Sequence, residues 1–269
     1  MKKNILFVLL FLILSLTPLL LSRFYIYVLA IILLTGLLAT SLNLAIGYGG
    51  MYQFGHAVFY GLGAYTTALI VSKTTLPPFL AFIVGPLFSA LISFLMGIIC
   101  LRLSKLYFGM LQISLGSLIW AVVYRWYSFT GGDDGIHGIV VPEIISNTNG
   151  SFYFTLIVVT ISILILHRIV ESPFGKTLQA IRDNPTRSLS VGININIHKL
   201  IALTIAGFFA GISGMLFVVV DNSVFPDMMF WTYSLEILIM CLLGGLYTFW
   251  GPFIGAIVIV STRIFLGAY

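Results

Sequence analysis

Charge is what this sequence has least of. Charged residues fill 8% of its 269 positions, against roughly 25% in ordinary soluble domains. Thirteen Lys and Arg and eight Asp and Glu cannot clothe a chain of this size in a water-compatible surface. A soluble catalytic domain is therefore excluded. So is a nucleic-acid interface, which needs a concentrated basic patch. Cysteine is scarce too. Cys100 and Cys241 each lie inside an apolar run, which reads as two small core residues and not as a disulfide framework. Polar alternation is missing as well. The apolar runs are continuous, whereas transmembrane barrel strands alternate over about 10 residues. No nucleophile–base pair, zinc spacing or carboxylate pair suggests a common catalytic site. Gly175-Lys176-Thr177 has Val170 where the first glycine of a phosphate-binding loop would stand, so the chain carries no such loop.

What is present is apolar length. Apolar residues make up 60% of the chain, and a spanning helix needs about 20 of them in a row. The runs predict spans near 5–22, 24–46, 54–72, 79–101, 106–128, 151–170, 200–220, 233–248 and 252–267. The expected fold is all-α: a polytopic helical membrane protein with eight or nine transmembrane segments, residues 1–269 forming one transmembrane domain. The segments after Gly49 and Gly244 are candidates for broken or re-entrant helices. Lys2 and Lys3 precede an apolar stretch longer than a signal-peptide core, with no small-x-small cleavage site after it, so the first run is expected to be a retained span.

Basic residues set the expected orientation. Alternating from Lys2 and Lys3, one side collects Arg102, Lys105, Arg168, Lys176, Arg182, Arg187 and Lys199. The other side holds only Arg23, Lys73 and Arg125. The N-terminus is therefore expected in the cytoplasm. Asp133, Asp134, Glu143, Asp221 and Asp227 fall in the outer loops.

One cytoplasmic connection, 171–199, is long. Ser172 followed by Pro173 reads as an N-cap with proline at the first helical position. Phe174, Leu178 and Ile181 share one face, and Lys176, Gln179 and Arg182 the other. Asn184 and Pro185 repeat the start signal for a second short helix to about Val191, and Gly192 is placed to end it in a left-handed conformation. The expected product is two short helices with an elbow at Asp183–Asn184. Their apolar face is too small to fold alone. It lies either on the inner membrane surface or against a cytoplasmic partner.

Glycine is plentiful, at 26 residues, and clustered. Gly207, Gly211 and Gly214 share a helix face suited to close packing. Gly47 through His56 is too glycine-rich and polar for a lipid-facing helix. Irregular backbone at membrane depth must be buried in protein or line a wet cavity. A helix starting there would point its positive end at a pathway, with Gln53, His56 and Tyr60 nearby. The competing reading is a cytoplasmic turn with a satisfied histidine. Residues 244–249, Gly-Gly-Leu-Tyr-Thr-Phe, echo 49–54, Gly-Gly-Met-Tyr-Gln-Phe, and suggest two matching breaks around one pathway. Glu236 is the one acid placed inside a span, and the cost of intramembrane charge turns it toward the bundle interior. Gln112, Asn43 and Ser114 are further candidates. The Thr130–Gly138 stretch reads as a glycine-shaped lid. No metal site is expected there, since its spacing matches no standard calcium loop.

Four motifs in order resemble one family. GYGGMYQFGHAVFYGLGAY at 47–65, TGGDDGI at 130–136, SPFGKTLQAIRDN at 172–184 and the stretch from SLEILIM to GGLYTFWGPFIGA at 234–256 resemble the LivM-type permeases, membrane subunits of branched-chain amino acid ABC importers. The family's alanine pair before the coupling glycine is replaced here by Pro185-Thr186-Arg187-Ser188-Leu189-Ser190. Family members commonly continue past the position of Tyr269 with another apolar segment. The resemblance implies a multi-pass inner-membrane transport subunit without its own ATP site. Its implied partners are a second permease subunit, two cytoplasmic ATPase subunits holding ATP and Mg, and an extracytoplasmic binding protein, besides membrane lipid. It implies that Phe174, Lys176, Arg182, Asp183, Asn184, Pro185 and Gly192 belong to the ATPase-coupling elbow. Urea or short-chain amide uptake, and ion-coupled secondary transport, remain the alternatives.

Overall fold

The computed structural model describes residues 14–18, 21–103 and 105–266. The run expected to span at 5–22 falls mostly outside the described residues. The described residues are helical almost throughout. The main helices are α1 (Arg23–Asn43), α2 (His56–Lys73), α3 (Pro78–Cys100), α4 (Leu106–Arg125), α5 (Thr148–Glu171), the short pair α6 (Pro173–Asp183) and α7 (Pro185–Ser190), α8 (Ile195–Asp221), α9 (Trp231–Gly244) and α10 (Gly251–Leu266). A π-helical turn, Leu44–Tyr48, extends α1. With that turn α1, and likewise α3, α4, α5 and α8, are long and apolar enough to cross a membrane. At 14 residues α9 is only about 21 Å long, and at 16 residues α10 is about 24 Å. Both are shorter than a hydrocarbon core of about 30 Å.

The centre is built from small residues, because helices in lipid associate by close packing and not by hydrophobic exclusion. On α3, Gly85, Ser89, Ser93 and Gly97 recur every fourth residue and face α8 and α2. A side chain on Gly207 would strike Ser93, and one on Gly63 would strike the backbone of Gly211. Hydrogen bonds cross the same seams. Ser89 Oγ lies 2.7 Å from the Phe59 carbonyl and 2.8 Å from that of Gly207. Ser93 donates to Leu203 at 2.8 Å and Ser213 to Leu34 at 2.7 Å. The opposite face of α3, with Ile83, Leu87, Leu91 and Ile98, is exposed. Cys100 and Cys241 are both buried.

The two ends of the bundle differ. At one end, residues 136–137 pair antiparallel with 223–224, in the register Ile136 to Val224. Gly131, Gly132, Gly135 and Gly138 all take positive φ there, which is why the segment is so rich in glycine. Lys73 on α2 donates to the Phe129 carbonyl at 2.6 Å, tying the start of this glycine-rich segment to the bundle. At the other end lie the breaks before α2 and α10 and the elbow α6–α7. The long connection is shorter than expected, since α8 starts at Ile195 and not near residue 200; the Asn194 side chain caps it by accepting from Ile197 N at 3.2 Å.

Candidate functional site

The start of α2 lies inside the bundle, not at its surface. Gly55 sits against the Gln112 backbone and Val58 beneath Gly116. Gln112 is six residues into α4, about 9 Å from its first residue. Residues 49–55 therefore fold back along α4 before α2 begins. The surface-turn reading of this segment is thus replaced by an interior one.

Around that start the polar candidates converge. Gln53, His56 and Gln112 are fully buried and Tyr60 nearly so, at 1% exposure. His56 Nε2 lies 2.9 Å from Ser41 Oγ, and Nδ1 lies 2.9 Å from Gln53 Nε2. Ser41 spends its proton on the Leu38 carbonyl at 2.7 Å. Ser41 must then accept from His56, which puts the imidazole proton on Nε2 and leaves Nδ1 to accept from the Gln53 amide. The histidine is satisfied as a neutral ring. No side chain caps the α2 N-terminus at Gly55, but Ser234 on α9 accepts the Ala57 N–H at 2.9 Å. The Tyr60 ring packs on Tyr233 at 5.5 Å.

The same region holds polar atoms without partners. Both amide atoms of Gln112, Oε1 of Gln53 and Oδ1 of Asn43 are buried with no hydrogen-bond partner among the described residues. Buried polar groups are normally hydrogen-bonded, and these atoms mark the polar part of the interior.

The two glycine breaks meet. Gly47 has no room for a side chain because Leu246 O and Asn43 Oδ1 occupy the space. Asn43 Nδ2 donates to Thr248 O at 3.0 Å. His167 on α5 packs edge-on against Phe249 at 4.8 Å. The echoed motifs thus adjoin each other at one end of the bundle.

The elbow follows its capping signals. Ser172 accepts from Gly175 N at 3.4 Å, and Asn184 from Arg187 N at 2.9 Å. Gly192 has φ +88°. Leu178 and Ile181 are buried against the bundle, and Phe174 stacks on His198 at 5.9 Å. Lys176, Asp183, Asn184, Pro185 and Gly192 are exposed. Arg182 is not: it turns inward and donates to the Gly47 carbonyl at 2.6 Å.

Two candidates stand elsewhere. Glu236 faces α10, where Arg263 donates to it at 3.1 Å, and its side chain is 28% exposed. Its partner is another span, not the bundle interior. Ser114 is exposed and bonds back to Met110 O at 3.0 Å, because it lies on the opposite face of α4 from Gly109, Gln112 and Gly116. Sequence reasoning missed Ser41 and Ser234, lone serines in apolar runs. The four-residue spacing of small residues on α3 was a usable signal for the central seam.

A family model described as branched-chain amino acid transport system, permease component, matches residues 24–269. The chain is 26% identical to the high-affinity branched-chain amino acid transport system permease protein LivM of Escherichia coli (strain K12), over 91% of this chain and 64% of that protein. The Salmonella typhimurium protein of the same description gives the same identity and coverage. A probable branched-chain amino acid transport permease protein LivM of Methanocaldococcus jannaschii is 22% identical over 87% of this chain and 78% of its own length. The chain thus spans about 64% of the two bacterial relatives it matches. No solved structure matches.

Proposed function

Since the chain belongs to the family of branched-chain amino acid transport system permease components, we propose that it is the membrane-spanning subunit of an ABC importer for branched-chain amino acids, worked by alternating access. In this reading two permease subunits enclose the pathway. Two cytoplasmic ATPase subunits supply ATP hydrolysis, and a binding protein delivers the solute. The polar interior at Gln53, His56, Tyr60 and Gln112 forms part of this subunit's wall of the pathway.

The observation that carries the reading is the elbow. Its inner face is anchored by Leu178 and Ile181, while Leu189 and Val191 stand 58% and 75% exposed, and Lys176 and Arg187 are exposed on the same two helices. Exposed apolar side chains and charges carried on a pair of capped helices suit a protein partner. An ATPase subunit is the partner that would turn their displacement into transport.

The test is reconstitution. The chain is co-expressed with the second permease, ATPase and binding-protein genes found beside it, and the complex is placed in vesicles. ATP-dependent accumulation of labelled leucine, isoleucine or valine is the expected result. Uptake that proceeds without any ATPase subunit would refute the reading.

A further inference from the structure

We infer that Arg182 is the positioning residue that couples the elbow to both chain breaks, so that α6, the end of α1 and the 245–250 segment move as one body. The inference rests on the proposed transport function and deepens it.

Four residues place Arg182. Nη1 donates to the Gly47 carbonyl at 2.6 Å. Nε donates to Asp183 Oδ1 at 2.9 Å, and Nη2 lies 2.8 Å from the same oxygen. The guanidinium lies over the Tyr247 ring at 4.7 Å. Gly50, at φ +63°, has its Cα against the arginine stem, where a side chain would come within 2.7 Å of Cγ. Only the Asp183 pair is local, and an exposed neighbouring ion pair contributes little. The other contacts reach both breaks from α6.

The chemistry fits the place. The last carbonyls of a helix lack partners and carry its negative end. Gly47 lies in the π turn that closes the long α1, and a cation satisfies its carbonyl with a charge-assisted bond. A guanidinium can do this while Asp183 holds its other edge and Tyr247 covers its face. A lysine ammonium has neither the planar face nor the fork. The breaks are already joined to each other by Asn43 and Thr248. Arg182 adds the elbow to that unit. A push on α6 therefore reaches the segment that leads into the α2 N-terminus.

The experiment uses the complex with its ATPase subunits and binding protein in vesicles, comparing Arg182→Ala, Arg182→Lys and Tyr247→Leu with the wild type. ATPase co-purification and basal ATP hydrolysis should stay within about twofold. Solute accumulated per ATP hydrolysed should fall at least tenfold in Arg182→Ala and less in Arg182→Lys and Tyr247→Leu. Unchanged uptake per ATP overturns the inference. So does loss of ATPase co-purification in proportion to uptake, which would make Arg182 a docking residue.

A second arm needs no ATPase. Met51, 4% exposed in the first break, is replaced by cysteine, and its labelling by a water-soluble maleimide is timed in the chain alone. Arg182→Ala should speed labelling at least tenfold; equal rates overturn the inference. If the wild-type chain recruits no ATPase, the functional reading fails, and this arm still decides whether Arg182 holds the break.

Discussion

Ser234 on α9 accepts the backbone N–H of Ala57, the second residue of α2, at 2.9 Å. This bond supplies from another helix what Gly55 cannot, a side-chain acceptor for the buried α2 N-terminus. It also ties the helix after the first break to the helix before the second. Ser234→Ala is expected to leave that N–H unpaired and to cost about 1–3 kcal/mol. Thermal inactivation in detergent should show the loss. An unchanged inactivation temperature would count against the bond.

Gln112 carries an expectation for transport. Its amide is fully buried, and both polar atoms lack partners among the described residues. Gln112→Leu keeps the volume and removes the unpaired groups. It should leave the chain in the membrane and lower solute uptake. A variant that transports normally would contradict the pathway role.

Gly192 holds φ +88° with open space where a side chain would stand. Gly192→Val therefore meets no neighbour and suffers only backbone strain, about 1–3 kcal/mol. The chain should still reach the membrane, while uptake drops because the elbow loses its end. Membrane content by immunoblot and uptake in the same cells make the comparison. Normal uptake would sink the coupling role of the elbow.

The orientation can be read chemically. Lys176 is exposed at the elbow end and His137 at the end that carries the strand pair. Both native cysteines are buried, which keeps background labelling low. A cysteine at 137 should react with an impermeant reagent in intact cells, and one at 176 only after permeabilisation. The reverse pattern would invert the topology.

Most of the architecture was legible because the bilayer is a strict solvent. Spans are bounded by charge and glycine, so helices occupy eight of the nine expected runs to within about five residues at each end, in α1–α5 and α8–α10; five of these helices are long and apolar enough to cross a membrane. The elbow was legible for a local reason. Ser172-Pro173, Asn184-Pro185 and Gly192 carry their capping geometry in their own side chains and φ preferences. Glu236 and Ser114 were harder, because whether a polar residue in a span faces the core depends on helix rotation, which neighbouring helices set.

By itself the sequence determined a helical membrane chain, its interruptions and its capped elbow, since these follow from apolar length and from local backbone chemistry. Tertiary structure alone decided the rest. It placed the α2 start beside the middle of α4, brought Ser41 and Gln53 onto the two nitrogens of His56, and set the two glycine breaks against each other. It also turned Arg182 inward to Gly47, 135 residues away in the chain. Those pairings depend on how deeply helices approach one another, and that depth is set by small residues on both partners at once, which no single segment records.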